Sequence, residues 1–230
     1  MSNTVTINID GAFIEAVTSA SVLDAALNSG ICIPHLCRVP YIEDLGGCRL
    51  CIVEHVVNGW SKITASCTLK VKEGMVILSN TPKLRKLRHN LAELLVAQAP
   101  NSRAIQDLAV RCGVTQVRYP FRNSDCVLCG RCVRACTGQL GDKAIGFIGR
   151  GKERRVGAPF GIMKEFCNEC GRCFDLCPMN IVPCEGTMHP GEERLCGNCE
   201  SKMPICEEAT GLCSACDFGE GFQCERAMSL

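Results

Sequence analysis

The sequence is poor in the features that announce most functions. Aromatic residues number only 11 in 230, and the charges nearly cancel at a formal +1. The chain therefore lacks the basic faces with interleaved aromatics that nucleic-acid binding needs, and it has no overall attraction to anionic lipid. No apolar run approaches the roughly 18 residues a membrane span requires. The start, MSNTVTINID, has no basic segment followed by an apolar one, so no leader is expected and the protein is expected to be cytoplasmic. No Gly-x-Gly-x-x-Gly follows a strand: Gly149-Arg150-Gly151 lacks the third glycine and the βαβ context, and no Walker loop is present. The four histidines, His35, His55, His89 and His189, are scattered, and none stands beside an obvious nucleophile and acid. They read as solvated or core-edge residues, and no catalytic residue is assigned.

What the chain has is cysteine, 21 of 230 residues, against an otherwise ordinary background of 47% apolar and 21% charged residues. That background excludes disorder and fibres, and the length allows one large or two modest domains. In a reducing compartment thiols seldom stay paired, so a surplus of this kind reads first as metal ligation, with the spacings left to decide.

The first 80 residues read as a small sheet. VTINID and FIEAV alternate about Asp10-Gly11, a helix is expected over 19–28 with a stop at Gly30, and 30–51 should be a loop dense in Gly, Pro and Cys. Strand character resumes over 52–57 and 61–65 around Asn58-Gly59, and 75–78 could close the sheet. Pro82 then opens a helix with Leu84, Leu87, Leu91, Leu94 and Leu95 on one stripe. Lys83, Arg85, Lys86 and Arg88 are expected on its solvated face. A second helix is expected over 102–111, ending before Gly113.

Two similar blocks follow, CVLCGRCVRAC from Cys126 and CNECGRCFDLC from Cys167, an internal duplication. Each reads Cys-x2-Cys-x2-Cys-x3-Cys, in which three close thiolates serve one cubane and the fourth reaches the other. Cys126, Cys129, Cys132 and Cys177 are therefore assigned to one 4Fe-4S cluster, and Cys136, Cys167, Cys170 and Cys173 to its neighbour. Zinc sites usually pair two Cys-x2-Cys knuckles, so a triple run occurring twice favours iron-sulfur. In the N-terminal part, Cys37-x10-Cys48-x2-Cys51-x15-Cys67 supplies candidates for a 2Fe-2S cluster, with a longer first gap than the plant-type four-residue spacing. Cys32 and Cys112 read as structural thiols. The last stretch carries Cys196, Cys199, Cys206, Cys213, Cys216 and Cys224, with Cys184 a further candidate. It could hold a fourth iron-sulfur cluster, a structural zinc, or flexible thiols, and its order is expected to come from bound metal.

GICIPHLC, GGCRLCIVEHV, AIGFIGRG, PFG and the paired cubane runs resemble the N-terminal iron-sulfur part of the complex I large electron-transfer subunit. They are equally similar to the diaphorase small subunit of NAD-linked hydrogenases and the electron-input arm of iron-only hydrogenases. The resemblance covers about residues 1 to 183 and implies an α+β architecture. A β-grasp 2Fe-2S ferredoxin-like domain (1–80) and a helical connector (81–120) lead to a two-cluster 4Fe-4S ferredoxin-like domain (121–183) and a Cys-rich metal-dependent extension (184–230). One departure stands out. The relatives carry a His-x3-Cys-x2-Cys-x5-Cys cluster site between the first two domains, whereas here LAELLVAQAPNSRAIQDLAVRCGV has His89 too early and no cysteine between Cys67 and Cys112.

Three redox centres without a site for hydride chemistry imply an electron-transfer subunit of a multisubunit, cytosolic NAD(P)-linked flavin oxidoreductase of anaerobic metabolism. Hydrogenase, formate dehydrogenase, transhydrogenase and electron-bifurcating types all fit. The expected partners are a flavin and NAD(P)-binding subunit, other redox subunits and soluble ferredoxin, with no nucleic acid and no membrane span. The rivals are an iron-sulfur subunit like that of succinate or fumarate oxidoreductases and, from another class, a zinc-binding scaffold.

Overall fold

The computed structural model describes residues 4–40, 42–122, 124, 126–138, 144–158, 172–179, 194–195 and 202–203. The chain divides into two compact units, Met1–Cys129 and Gly130–Leu230. The first opens with a hairpin of β1 (Thr4–Ile9) and β2 (Ala12–Val17), whose alternation turns Ile7, Ile9, Ile14 and Ala16 inward. Asp10 and Gly11 sit at φ of 52° and 91°, the left-handed region that a two-residue hairpin loop demands of both central positions. Asn58 and Gly59 repeat the device, at 50° and 80°, between β3 (Ile52–Val57) and β4 (Trp60–Ala65).

Helix α1 spans Val22–Asn28, three residues shorter at its start than the periodicity predicts. A reciprocal capping box explains this: the Asp24 amide donates to the Ser21 hydroxyl oxygen at 3.1 Å, and the Asp24 carboxylate accepts from Ser21. The helix stops at Gly30 as expected, with Gly30 N–H on the Leu27 carbonyl and Ile31 N–H on that of Ala26. Strand β5 (Val76–Leu78) completes a five-stranded sheet in the order β2-β1-β5-β3-β4. It enters at the centre, parallel to β1 and antiparallel to β3. The core beneath joins Ile7, Ile9, Leu23, Ile33, Val53 and Ile77, and it includes Cys51 and Cys67.

Helix α2 (Pro82–Gln98) begins at Thr81, whose hydroxyl accepts the Leu84 N–H at 3.2 Å and donates to Glu54 of β3 at 2.6 Å. Its buried face corrects the expected stripe. Leu84, Arg88, Ala92, Glu93 and Ala97 are buried, while Leu94 is 47% exposed and Leu87, Leu91 and Leu95 are only half-buried. Of the four cations assigned to solvent, Lys83, Arg85 and Lys86 are exposed, but Arg88 points inward because its guanidinium finds backbone carbonyls there. Helix α3 (Arg103–Arg111) packs Ile105, Leu108 and Ala109 inward and ends before Gly113, as expected.

In the second unit, α4 (Arg131–Gly138) packs against α5 (Arg172–Asp175), the helices that carry parts of the two cysteine runs. Strands β6 (Gly146–Ile148) and β7 (Arg155–Gly157) form a hairpin around a short 3-10 turn at Gly151–Glu153. Gly149 is required there, because at φ 75° a Cβ would lie 2.4 Å from the Glu153 carbonyl oxygen. A two-residue pair, β8 (Arg194–Leu195) with β9 (Lys202–Met203), is the described part of the extension. Among the described residues no helix is long and apolar enough to cross a membrane.

Candidate metal centres

The first site is built from the loop that links α1 to β3. The loop has no regular structure, yet it is anchored: Ile33, Leu36, Val39 and Leu50 are buried. Arg38 reaches back to Asp24, with Nε at 2.8 Å and Nη2 at 2.6 Å from Oδ1. Burial alone would push the Asp24 carboxyl up, but hydrogen bonds from Ser21 and Arg38 outweigh it and hold the group below its ordinary value. One carboxylate thus caps α1 and ties down the residue after Cys37. On the far side, Ser66 donates to the Cys51 carbonyl from its amide at 2.9 Å and its hydroxyl at 2.7 Å, coupling the turn before Cys67 to the end of the loop.

These anchors bring all four predicted thiols into one region as two pairs. Cys37 neighbours Cys48, and Cys51 neighbours Cys67, near enough for each thiol to shift its partner's ionisation. Cys37, Cys51 and Cys67 are buried, and Cys48 is half-buried. The neighbouring Cys37 thiol, then burial, pushes the Cys48 thiol up. The neighbouring Cys51 thiol, then burial, does the same to Cys67. Its partner Cys51 is brought down to about 7, by the Cys67 thiol first and also by the Cys67 backbone and Ser66 hydroxyl, with burial opposing.

The donor set is all sulfur. Among the described residues, no three His, Cys, Asp or Glu side chains converge as the ligands of a single ion would. Two pairs of thiols are what two adjacent irons need, each taking two thiolates, so this set fits a 2Fe-2S centre better than a mononuclear zinc. Cys32, expected as a structural thiol, is half-buried in the loop before Cys37. Cys112, expected to be a buried small residue, is half-buried at the end of α3.

The end of α2 leads the chain toward the cubane runs. Arg122 N–H donates to the Ala97 carbonyl at 2.8 Å, Ser124 N–H to that of Gln98 at 2.7 Å, and Gln98 Nε2 to the Cys126 carbonyl at 2.7 Å. Upstream, the Arg118 guanidinium and amide close on the fully buried Glu93 carboxylate, with Nη2 to Oε2 at 2.5 Å. That hydrogen bonding holds the Glu93 carboxyl at about 2 despite its burial. The Leu128 amide donates to Cys126 Sγ at 3.3 Å, and within the second unit the Ala144 amide donates to Cys136 Sγ at 3.2 Å. Such N–H···S bonds stabilise thiolate sulfur. Cys132 and Cys136 are buried on α4, and Cys173 and Cys177 are half-buried in and just after α5. Cys167 and Cys170 lie outside the described residues, as do Cys184 and the tail cysteines 196, 199, 206, 213, 216 and 224.

Arg88, Ser66 and Gln98 escaped sequence reasoning. Arg88 had one usable signal, its i+4 spacing from Leu84 on what proves to be the buried face.

Known proteins share the two domains that carry these cysteines. Residues 2–82 match the 2Fe-2S iron-sulfur cluster binding domain family, and residues 125–181 match the 4Fe-4S dicluster domain family. The 75 kDa subunit of NADH-ubiquinone oxidoreductase from Reclinomonas americana is 29% identical over 204 residues, 77% of this chain and 29% of that protein. The alpha subunit of NADPH-Fe(3+) oxidoreductase from Geobacter sulfurreducens is 27% identical over 232 residues, 90% of this chain and 27% of its own length. The chain thus spans about a quarter of the length of the curated relatives it matches. Among solved structures, a chain of an NAD+-reducing [NiFe]-hydrogenase in the H2-reduced state superposes with a TM-score of 0.59 at 35% identity, covering 67% of this chain and 74% of that one. With a 2Fe-2S domain ahead of a 4Fe-4S dicluster domain, the chain belongs to the family of the complex I large electron-transfer subunit's iron-sulfur region and the diaphorase small subunit of NAD-linked hydrogenases.

Proposed function

We propose that the protein is an electron-transfer iron-sulfur subunit of a cytoplasmic, multisubunit NAD(P)-linked flavin oxidoreductase. It would relay electrons between a flavoprotein that handles the nicotinamide and a second redox partner, with hydrogenase, formate dehydrogenase, transhydrogenase and electron-bifurcating complexes as the candidate types. In this reading Cys37, Cys48, Cys51 and Cys67 hold a 2Fe-2S centre. Cys126, Cys129, Cys132 and Cys177 hold one 4Fe-4S centre, and Cys136, Cys167, Cys170 and Cys173 the other. The tail cysteines hold a fourth cluster or zinc. Bound clusters supply one-electron transfer, and the protein contributes burial, hydrogen bonds to sulfur and charge.

The observation that carries the reading is the gathering of four thiols, Cys37 beside Cys48 and Cys51 beside Cys67, of which all but the half-buried Cys48 are buried. Anionic sulfur gathered beneath a packed sheet is costly unless a cation neutralises it. The similarity to subunits of NADH, NADPH and hydrogen oxidoreductases supports the choice of complex. Cys48→Ser in the assembled complex tests the route. The expected result is loss of reductase coupling with the cubane signals retained, and unchanged coupling contradicts the route.

A further inference from the structure

Arg88 lies on the inner face of α2, only 5% exposed, and donates through Nε to the Leu50 carbonyl at 3.0 Å and through Nη2 to the Ile52 carbonyl at 2.6 Å. Those carbonyls bracket Cys51. Because each peptide is planar and trans, holding the Leu50 carbonyl fixes the plane that precedes Cys51, and holding the Ile52 carbonyl fixes the plane one peptide beyond the one that follows it. From the opposite element, Ser66 holds the carbonyl of Cys51 itself. Three consecutive carbonyls are thereby pinned around one thiol.

Neutral carbonyls satisfy the guanidinium's hydrogen bonds but not its charge. Among the described residues no carboxylate lies within ion-pair distance of Arg88. Burial disfavours the cation, and the groups whose negative charge offsets this are Cys112, Cys51 and, more weakly, Asp10. A buried cation is tolerated where an anion faces it, and the loop it clamps carries the thiols of the first site.

We propose that Arg88 is a positioning residue for the 2Fe-2S centre: it orients Cys51 and, as a fixed positive charge behind that thiolate, favours the reduced state. The inference rests on the reading that Cys37, Cys48, Cys51 and Cys67 hold that centre. Reduction adds one electron from an external donor, dithionite in the test below, and no bond forms or breaks. The added negative charge falls in the field of the guanidinium.

The test uses the full chain isolated without oxygen, as wild type, Arg88→Gln and Arg88→Lys. Iron and sulfide are assayed, and the two-iron signal is followed by electron paramagnetic resonance during a redox titration. Arg88→Gln, which removes the charge but keeps one donor, is expected to shift the one-electron equilibrium about tenfold toward the oxidised form, or about 59 mV, at unchanged iron content. Arg88→Lys keeps the charge without the planar fork; it is expected to hold the wild-type potential while its g values shift as Cys51 is less firmly held. Full cluster content with a wild-type potential in Arg88→Gln overturns the inference and leaves the cluster assignment standing. A wild-type protein with no two-iron signal overturns both. Should Arg88→Gln lose the centre, the lysine variant decides: retention at the wild-type potential supports the proposal, and loss there too makes Arg88 a packing element only.

Discussion

The two thiol-bearing regions are built on different terms. In the first unit, Cys51 and Cys67 belong to the same core as Ile7, Ile9, Leu23, Val53 and Ile77, and Arg88, Ser66 and Arg38 hold the loop by hydrogen bonds that need no metal. In the second, the buried hydrophobic side chains among the described residues are Cys132, Ala135, Cys136, Ala144, Ile145, Val156, Ala158 and Leu176. Two of these eight are themselves candidate ligands. A sheet with its own core can preform a metal site, whereas helices that bury candidate ligands are expected to gain order from the metal.

The largest expected effect follows from that contrast. Stripping iron with a chelator should make the second unit readily cleaved by protease while a fragment ending near residue 129 survives. Equal digestion of both units contradicts the distinction. Next, Leu84→Ala, at a fully buried position, should cost about 2–5 kcal/mol. Leu94→Ala, at a site 47% exposed, should stay within about 0.5 kcal/mol. Thermal unfolding of the two variants identifies which face of α2 packs. Ser66→Ala, which removes a buried hydroxyl from the Cys51 carbonyl, should cost about 1 kcal/mol and hasten iron loss from the first site.

The smallest effect is an expected constancy. The Glu93 carboxyl is depressed to about 2 from 4.5, so its pairing with Arg118 contributes stability that is complete above the unfolded value and lost only as pH falls toward about 2. The difference in melting temperature between wild type and Glu93→Gln should therefore be flat from about pH 6 to 9, well above the ordinary carboxylate range. A slope there contradicts the assigned protonation state.

Local signals made much of the first unit legible. Asp10-Gly11 and Asn58-Gly59 each encode a turn within their own two residues, and Gly30 and Gly113 mark where α1 and α3 stop. The central place of β5 was not legible, because its pairing with β1 joins Asn8 to Val76, neighbours in the sheet that lie far apart in sequence. Leucine spacing misled on α2, since Leu87, Leu91 and Leu94 are as periodic as the true inner face. That face is set by Arg88 reaching carbonyls from another segment. At the first site the cysteine spacing named the candidates but not which thiols neighbour each other, which depends on a turn at Ser66 that no ligand motif includes.

The central claim is that these thiols hold iron and sulfide. Elemental analysis of oxygen-free protein, with zinc measured alongside, tests it most directly: one 2Fe-2S and two 4Fe-4S centres require about ten iron atoms and about as many sulfides per chain. Zinc in their place, or markedly fewer irons in undamaged protein, contradicts the account.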